Sequence, residues 1–362
     1  MVTDDEEIGD LHEVMSSAPL LTENGENKNQ VVRKKRRCSA ISSSHIGMVF
    51  AFISCMFFAG SFTGAKMVTT VHPLEITFVR MVIQNACVTP IMLCKNISFR
   101  GENAYQYRWL ISRGVTGCLS VTCVFIAVHL MPVGDAVVIF FTNPIYTAFL
   151  SCMCLKESIK VIDFLLALIS VIGVMVILKP QFLFSGSSQN TTLTEVESSE
   201  SLLGALFAFF GALFAAMVFV SSRKLGKKVS YLTIIFYYSV CGIITTSTLL
   251  FILDKYSLPQ TPHDWFFIVF VGLCGVGGQI LLTKALQYEK AVYVSIIRTM
   301  DIVFAYIFQY LWYGSKPDWV AMLGAILVTI SSVGIALKRW YYAKQDKFET
   351  NPVDGVEEDN KK

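Results

Sequence analysis

Ser44–Phe52 reads SHIGMVFAF, and about 157 residues later Ser201–Phe209 reads SLLGALFAF. The pairing Ser44/Ser201, Gly47/Gly204, Phe50/Phe207, Ala51/Ala208 and Phe52/Phe209 continues through Phe57/Phe214 and Ala59/Ala216. It then slips by one residue and resumes at Leu74/Leu232, Ile76/Ile234, Phe78/Phe236, Val82/Val240, Gly114/Gly272, Gly117/Gly275, Ala127/Ala285 and Ala167/Ala325. A register held across most of each half marks a duplication. Each copy carries five apolar runs of membrane length, and an odd count makes the second copy enter the bilayer from the opposite side. The expected fold is therefore all-α and polytopic: ten transmembrane helices arranged as two inverted five-helix repeats.

Composition agrees. The 362 residues are 54% hydrophobic with a mean hydropathy of +0.55, too apolar for a water-soluble chain of this size. About 20 residues of helix cross a hydrocarbon core, and the spans fall near Ile46–Ala65, Pro73–Leu93, Trp109–Leu130, Gly134–Cys154, Ile162–Leu178, Leu202–Ser221, Tyr231–Leu253, Trp265–Leu286, Ala291–Trp312 and Trp319–Leu337. The domain reading is a disordered tail over 1–44, a first repeat over 45–178, a loop over 179–200, a second repeat over 201–339 and a tail over 340–362. No cleaved signal peptide is expected in the acidic, polar N-terminus. The ten cysteines suggest neither a disulfide framework nor a metal site, and no cofactor is expected.

Basic residues cluster at alternate span ends: Arg33–Arg37, Lys95 to Arg108, Lys156 and Lys160, Arg223 to Lys228, and Lys338 to Lys344. The opposite ends hold little beyond Lys66, Lys179, Lys255 and Lys316. The positive-inside rule then places both termini in the cytosol. The long loop opposite carries the sequon Asn190-Thr191-Thr192, so Asn190 is the expected glycosylation site, and the cytosolic Asn96-Ile97-Ser98 is expected to be silent. Plasma membrane, endoplasmic reticulum and Golgi are equally compatible.

Several motifs carry a family resemblance: Leu155-Lys156-Glu157 closing the fourth span, Gly275-Val276-Gly277-Gly278-Gln279 running on to Thr283-Lys284-Ala285-Leu286, and Arg298-Thr299-Met300-Asp301 in the ninth. With the duplicated layout they resemble the drug/metabolite transporter superfamily, and within it the EamA-domain solute carrier family 35, subgroup G. Ser315 stands where the second copy would repeat Glu157. The resemblance implies a carrier of small organic solutes and leaves the solute open.

Charge inside a span costs roughly 2.5–3.5 kcal/mol on insertion scales, so such residues face a cavity or a partner. The candidate substrate-binding set is Arg80, Lys284, Arg298 and Asp301, joined by Gln279 and by Asn143, which the repeat register places opposite Asp301. Arg298, Asp301, Ala305, Phe308 and Trp312 share one helical face and read as a pore lining, and Pro144 frees a backbone carbonyl in the fourth span. Three cations against one carboxylate suit an anion, while a structural Arg298–Asp301 pair is the competing account. Arg113 and Lys66 are read as structural cations near helix ends, Glu75 as a rim carboxylate, His129 and Asp135 as loop residues, and the glycines as packing positions.

The function so implied is alternating-access transport of a small organic anion, most plausibly a di- or tricarboxylate, with a phosphorylated or nucleotide-linked solute as the substrate variant. A non-transporting membrane partner regulating ion homeostasis is the second class; an enzyme is not expected, for want of a nucleophile–base pair, a nucleotide loop or a metal cluster. The expected partners are the anion and the lipid bilayer, without nucleic acid, and a homodimer is left open.

Overall fold

The computed structural model describes residues 25–349 apart from 69, 102, 158, 180–194, 255–258, 260 and 315–317. Asn190 and Ser315 thus lie outside the described residues. Among those described, all regular structure is helical: α1 Gly25–Met67, α2 Pro73–Cys94, α3 Ala104–Leu130, α4 Val133–Phe140, α5 Asn143–Leu150, α6 Val161–Leu178, α7 Glu195–Leu225, α8 Tyr231–Leu253, α9 Pro262–Tyr288, α10 Ala291–Ile297, α11 Met300–Tyr313 and α12 Trp319–Glu349. Residues 25–44, read as disordered, are helical instead, in keeping with the helix propensity of their Lys, Arg and Gln residues. Residues 43–349 form one unit by their internal contacts.

Ten stretches are long and apolar enough to cross a membrane, five in each repeat. Their ends follow local chemistry. Pro73 and Pro262 open spans 2 and 8 at positions where a missing N–H costs nothing. The Thr261 hydroxyl accepts from the Asp264 amide at 3.2 Å, and Gly314 closes span 9 at φ 63°.

Spans 4 and 9 are each two helices, broken at Phe141–Thr142 and at Arg298–Thr299. These sites coincide within a residue in the repeat register. In span 4 the cause is Pro144, which cannot donate to the Phe140 carbonyl; Asn143 Nδ2 donates there instead, at 3.1 Å. Span 9 has no proline. There the amides of Thr299, Asp301 and Ile302 turn to carbonyls three residues back, at 3.1, 3.1 and 3.3 Å.

Span 5 (α6) and span 10 (α12) lie against each other. A Cβ on Gly324 would sit 2.6 Å from the Gly173 carbonyl oxygen, so the two backbones touch where both side chains are absent. Both ends of the pair are held by ions, Asp163 with Lys338 at one and Lys179 with Asp318 at the other.

Candidate functional site

The bundle has a terminal end, where span 1 begins and span 10 finishes, and a loop end, where spans 1 and 2 join. A cavity of about 650 Å³ runs from mid-bundle to the loop end, where Lys66, Val68, Val71 and Pro73 line it. Its walls obey the repeat. Phe58 and Ala215, Ser61 and Val218, Phe62 and Phe219, Arg80 and Tyr238, Val121 and Gln279, and Phe140 and Arg298 are register mates, and both members of every pair line it. The cavity therefore sits on the pseudo-twofold axis between the repeats.

Its polar wall is cationic. Among the described residues, Lys66, Arg80, Arg113 and Arg298 line it, and no Asp or Glu does. Arg80, on α2, crosses α9 at Gly275, where an added Cβ would lie 2.9 Å from its Cδ; it has no hydrogen-bond or ion-pair partner among the described residues. Arg113, on α3, is 2% exposed. Its Nε donates to Ser222 Oγ at 2.8 Å, its guanidinium carbon lies 4.7 Å from the centre of the Tyr238 ring, and its Nη1 has no partner. Gly117 makes room for this stack as Gly275 does for Arg80, and the two glycines are register mates. At the break in span 9, Arg298 lies 4.1 Å over the Phe58 ring; its Nη2 is 2.7 Å from Asp301 Oδ2, and its Nη1 is unpartnered. Gln279 Nε2 and Asn143 Oδ1 are buried without partners as well. Buried polar atoms in a native fold are nearly always bonded. Four orphaned atoms around one cavity, three of them donors, mark a place for a ligand rich in acceptors.

Sequence reasoning thus placed Arg80, Asn143, Gln279 and Arg298 on the cavity, and two of its residues elsewhere. Lys284 does not line it; Nζ lies 4.6 Å over the Tyr231 ring and 5.8 Å from that of Phe50. The reason is helical: five residues separate Gln279 from Lys284, which turns the lysine about 140° away. Asp301 stands behind Arg298, 2% exposed and outside the lining. Nor do Ala305, Phe308 and Trp312 line the cavity, which takes only Arg298 from that stripe. Glu75 and Asp135 are buried where rim and loop positions were expected.

Arg113 is the residue the sequence reading missed. Starting span 3 at Trp109 left it near a helix end, but α3 begins at Ala104, which carries Arg113 roughly 13 Å into the bundle at 1.5 Å per residue. A signal was available in Gly117, one turn on, which leaves open the face that the guanidinium occupies. Of the glycines assigned to packing, Gly272 and Gly278 do pack against Ile83 and Phe58, whereas Gly275 seats Arg80.

The terminal end is shut by contacts between the repeats, through Glu157 and Cys154, and by others within the second repeat. Arg223 Nε pairs with Glu157 Oε1 at 3.0 Å, and its Nη1 donates to the Gln287 carbonyl at 3.1 Å. Lys224 donates to the Cys154 carbonyl at 2.8 Å, and Lys227 lies 3.9 Å over the Tyr288 ring. Arg223 is the register mate of Lys66, which stands at the open end instead. No cluster of His, Cys, Asp or Glu able to hold a metal occurs among the described residues.

Two inverted five-span repeats around a cation-bearing axial cavity, open at one end and ion-paired at the other, define a membrane transporter. The pattern of the EamA-like transporter family matches residues 45–179 and 202–337, once per repeat. The chain belongs to that family, and within it to subgroup G of solute carrier family 35. Solute carrier family 35 member G1 of Homo sapiens is 37% identical over 313 residues, covering 86% of this chain and 83% of the relative. The pseudopaline exporter CntI of Pseudomonas aeruginosa is 26% identical, with 74% and 87% covered. A crystal structure with 16% sequence identity superposes with a TM-score of 0.65 over 80% of this chain and 98% of its own, a likeness of fold.

Proposed function

We propose that this protein is a secondary carrier of a small organic anion, a di- or tricarboxylate, whose acidic groups bind Arg80, Arg113 and Arg298. The observation that carries the reading is the charge of the cavity wall: four cations, no carboxylate, and guanidinium nitrogens without partners. Guanidinium forks match carboxylates through paired hydrogen bonds. The cavity volume falls within the range of about 300–1,000 Å³ common for small-molecule sites. Transport follows from the repeat: the present form opens at the loop end, and rocking the repeats about the axis opens the terminal end once Glu157 and Arg223 part. Relatives named for export of pseudopaline and for uptake of S-adenosylmethionine leave the direction of flux to the gradients.

The test is purified protein in liposomes preloaded with unlabelled solute and screened for exchange of labelled carboxylates, phosphates and nucleotide sugars. Exchange of di- or tricarboxylates is expected. Exchange confined to phosphorylated or nucleotide-linked solutes would transfer the site to that class, and exchange of only neutral or cationic solutes would overturn the anion reading. We also place both termini in the cytosol. Asn190→Gln should then abolish a glycosidase-sensitive gel shift that Asn96→Gln leaves in place, and the reverse result would invert the topology.

A further inference from the structure

We propose that Asp301 couples transport to protons: each anion that takes Arg298 from Asp301 leaves that carboxylate to be neutralised by one proton, which is carried across with the anion. The proposal rests on the carrier reading above and goes beyond it to the driving ion.

Arg298 faces two ways. Its guanidinium lines the cavity, and its Nη2 lies 2.7 Å from Asp301 Oδ2 on the side away from it. Asp301 has few other neighbours of use. The titratable groups that face it are Arg298 from its own span and the thiol of Cys55 from span 1, whose Sγ lies 3.4 Å from the Ile297 carbonyl oxygen. Among the described residues, Arg298 is the cation paired with this buried carboxylate.

An arriving carboxylate competes for the same fork, and planar guanidinium donors cannot serve both partners with good geometry. Once Arg298 turns to the solute, Asp301 is a lone charge in a dry site, the circumstance in which an ionisable group gives up its charge. The bookkeeping closes. Before binding, Arg298 and Asp301 sum to zero; after it, Arg298, one solute carboxylate and a protonated Asp301 also sum to zero. The proton comes from water in the open cavity and returns to water at the other end when the anion leaves and Arg298 swings back.

The repeat shows why only one half carries this device. The register mate of Asp301 is Asn143, an uncharged isostere at the matching helix break, whose Nδ2 bonds the Phe140 carbonyl. The fold therefore already holds an asparagine at this type of position, which makes Asp301→Asn the natural test.

Labelled succinate and citrate serve as probes in liposomes with a pH dye inside, first in counterflow at equal pH, then under an acid-outside gradient. Succinate and citrate carry more than one charge, so potassium with valinomycin holds the membrane potential at zero; a one-unit gradient should then drive about tenfold accumulation in wild type at one proton per anion, with acidification of the lumen. Asp301→Asn should retain measurable counterflow while its gradient-driven accumulation falls to about onefold. Asp301→Glu should restore it. Wild-type counterflow that ignores the pH gradient would overturn the coupling and spare the carrier. Lumenal acidification that persists in Asp301→Asn would assign the proton to the solute and also overturn it. The absence of counterflow for every anion screened would instead defeat the carrier reading, and the coupling with it. A measurement free of mutants guards against misfolding: citrate titrated into detergent-solubilised wild type, in buffers of differing ionisation enthalpy, should report uptake of about one proton per anion bound at neutral pH. Zero uptake there would refute the proposal.

Discussion

Replacing Arg113 by methionine separates a binding cation from a structural one. In the fold, Arg113 has one hydrogen-bond partner, Ser222, whose hydroxyl also donates to the Val218 carbonyl at 2.8 Å and so keeps a bond when the arginine is gone. The variant leaves no buried atom newly orphaned. It loses a charge-assisted hydrogen bond of about 1.5–3 kcal/mol and a cation–π contact of about 0.5–2 kcal/mol. Against this stands relief from burying a charge, itself several kcal/mol. The sums nearly cancel, so thermal unfolding in detergent should move by an amount corresponding to roughly 1 kcal/mol in either direction. Binding has no such compensation. Losing one charged hydrogen-bonding partner of the solute, about 1.5–3 kcal/mol, should raise the KM for a dicarboxylate about 10- to 150-fold, with a smaller rise for a monocarboxylate. Arg113→Lys should recover part of it. Collapse of folding in Arg113→Met, or an unaltered KM in a well-folded variant, would refute the argument.

Other outcomes follow from the same geometry. Glu157→Gln removes the carboxylate that closes the terminal end; the pair is only partly exposed, so about 1–3 kcal/mol of bias toward the present form should be lost. A thiol reagent applied from the terminal side should then label a cysteine placed at Phe219 about 5- to 150-fold faster, and unchanged labelling would remove Glu157 from the gate. Gly275→Ala presses on the flexible Arg80 side chain and should raise KM with little loss of stability, while Gly324→Ala presses on a backbone oxygen and should cost about 1–3 kcal/mol in thermal unfolding. Equal effects of the two would contradict the packing described. The hydrogen bond from Lys179 holds the Asp318 carboxyl below its ordinary range. An acid whose value is lowered by folding contributes stability above its unfolded value, about 3.9, and loses it as pH falls through the lower folded one. Melting curves of wild type and Asp318→Asn should therefore differ at neutral pH and converge in strong acid; a constant difference would exclude the pair.

Much of this was legible in the sequence because duplication and hydropathy are long-range signals that survive uncertainty about single residues. The register of Ser44 on Ser201 marked two copies of five spans, and it paired Phe140 with Arg298, which both line the cavity. What failed turned on angle and depth. Lys284 was grouped with Gln279 by nearness along the chain, although helical phase separates them. Arg113 was judged by its distance from a span end that lay five residues too far along. Charge alone did not tell Arg298 from Asp301: one lines the cavity and the other supports it, and only packing distinguishes the two.

The paired helices at Gly173 and Gly324 have a bearing on which bilayer suits the protein. Span 5 has 18 residues and so a length of about 27 Å, and ions fasten it to span 10 at both ends. Pairs at both ends oppose sliding of one helix along the other. The other nine spans are longer, 22 to 28 residues, so span 5 is the shortest crossing in the bundle. Lipid thickness therefore bears on the carrier first at span 5, where the apolar length is least.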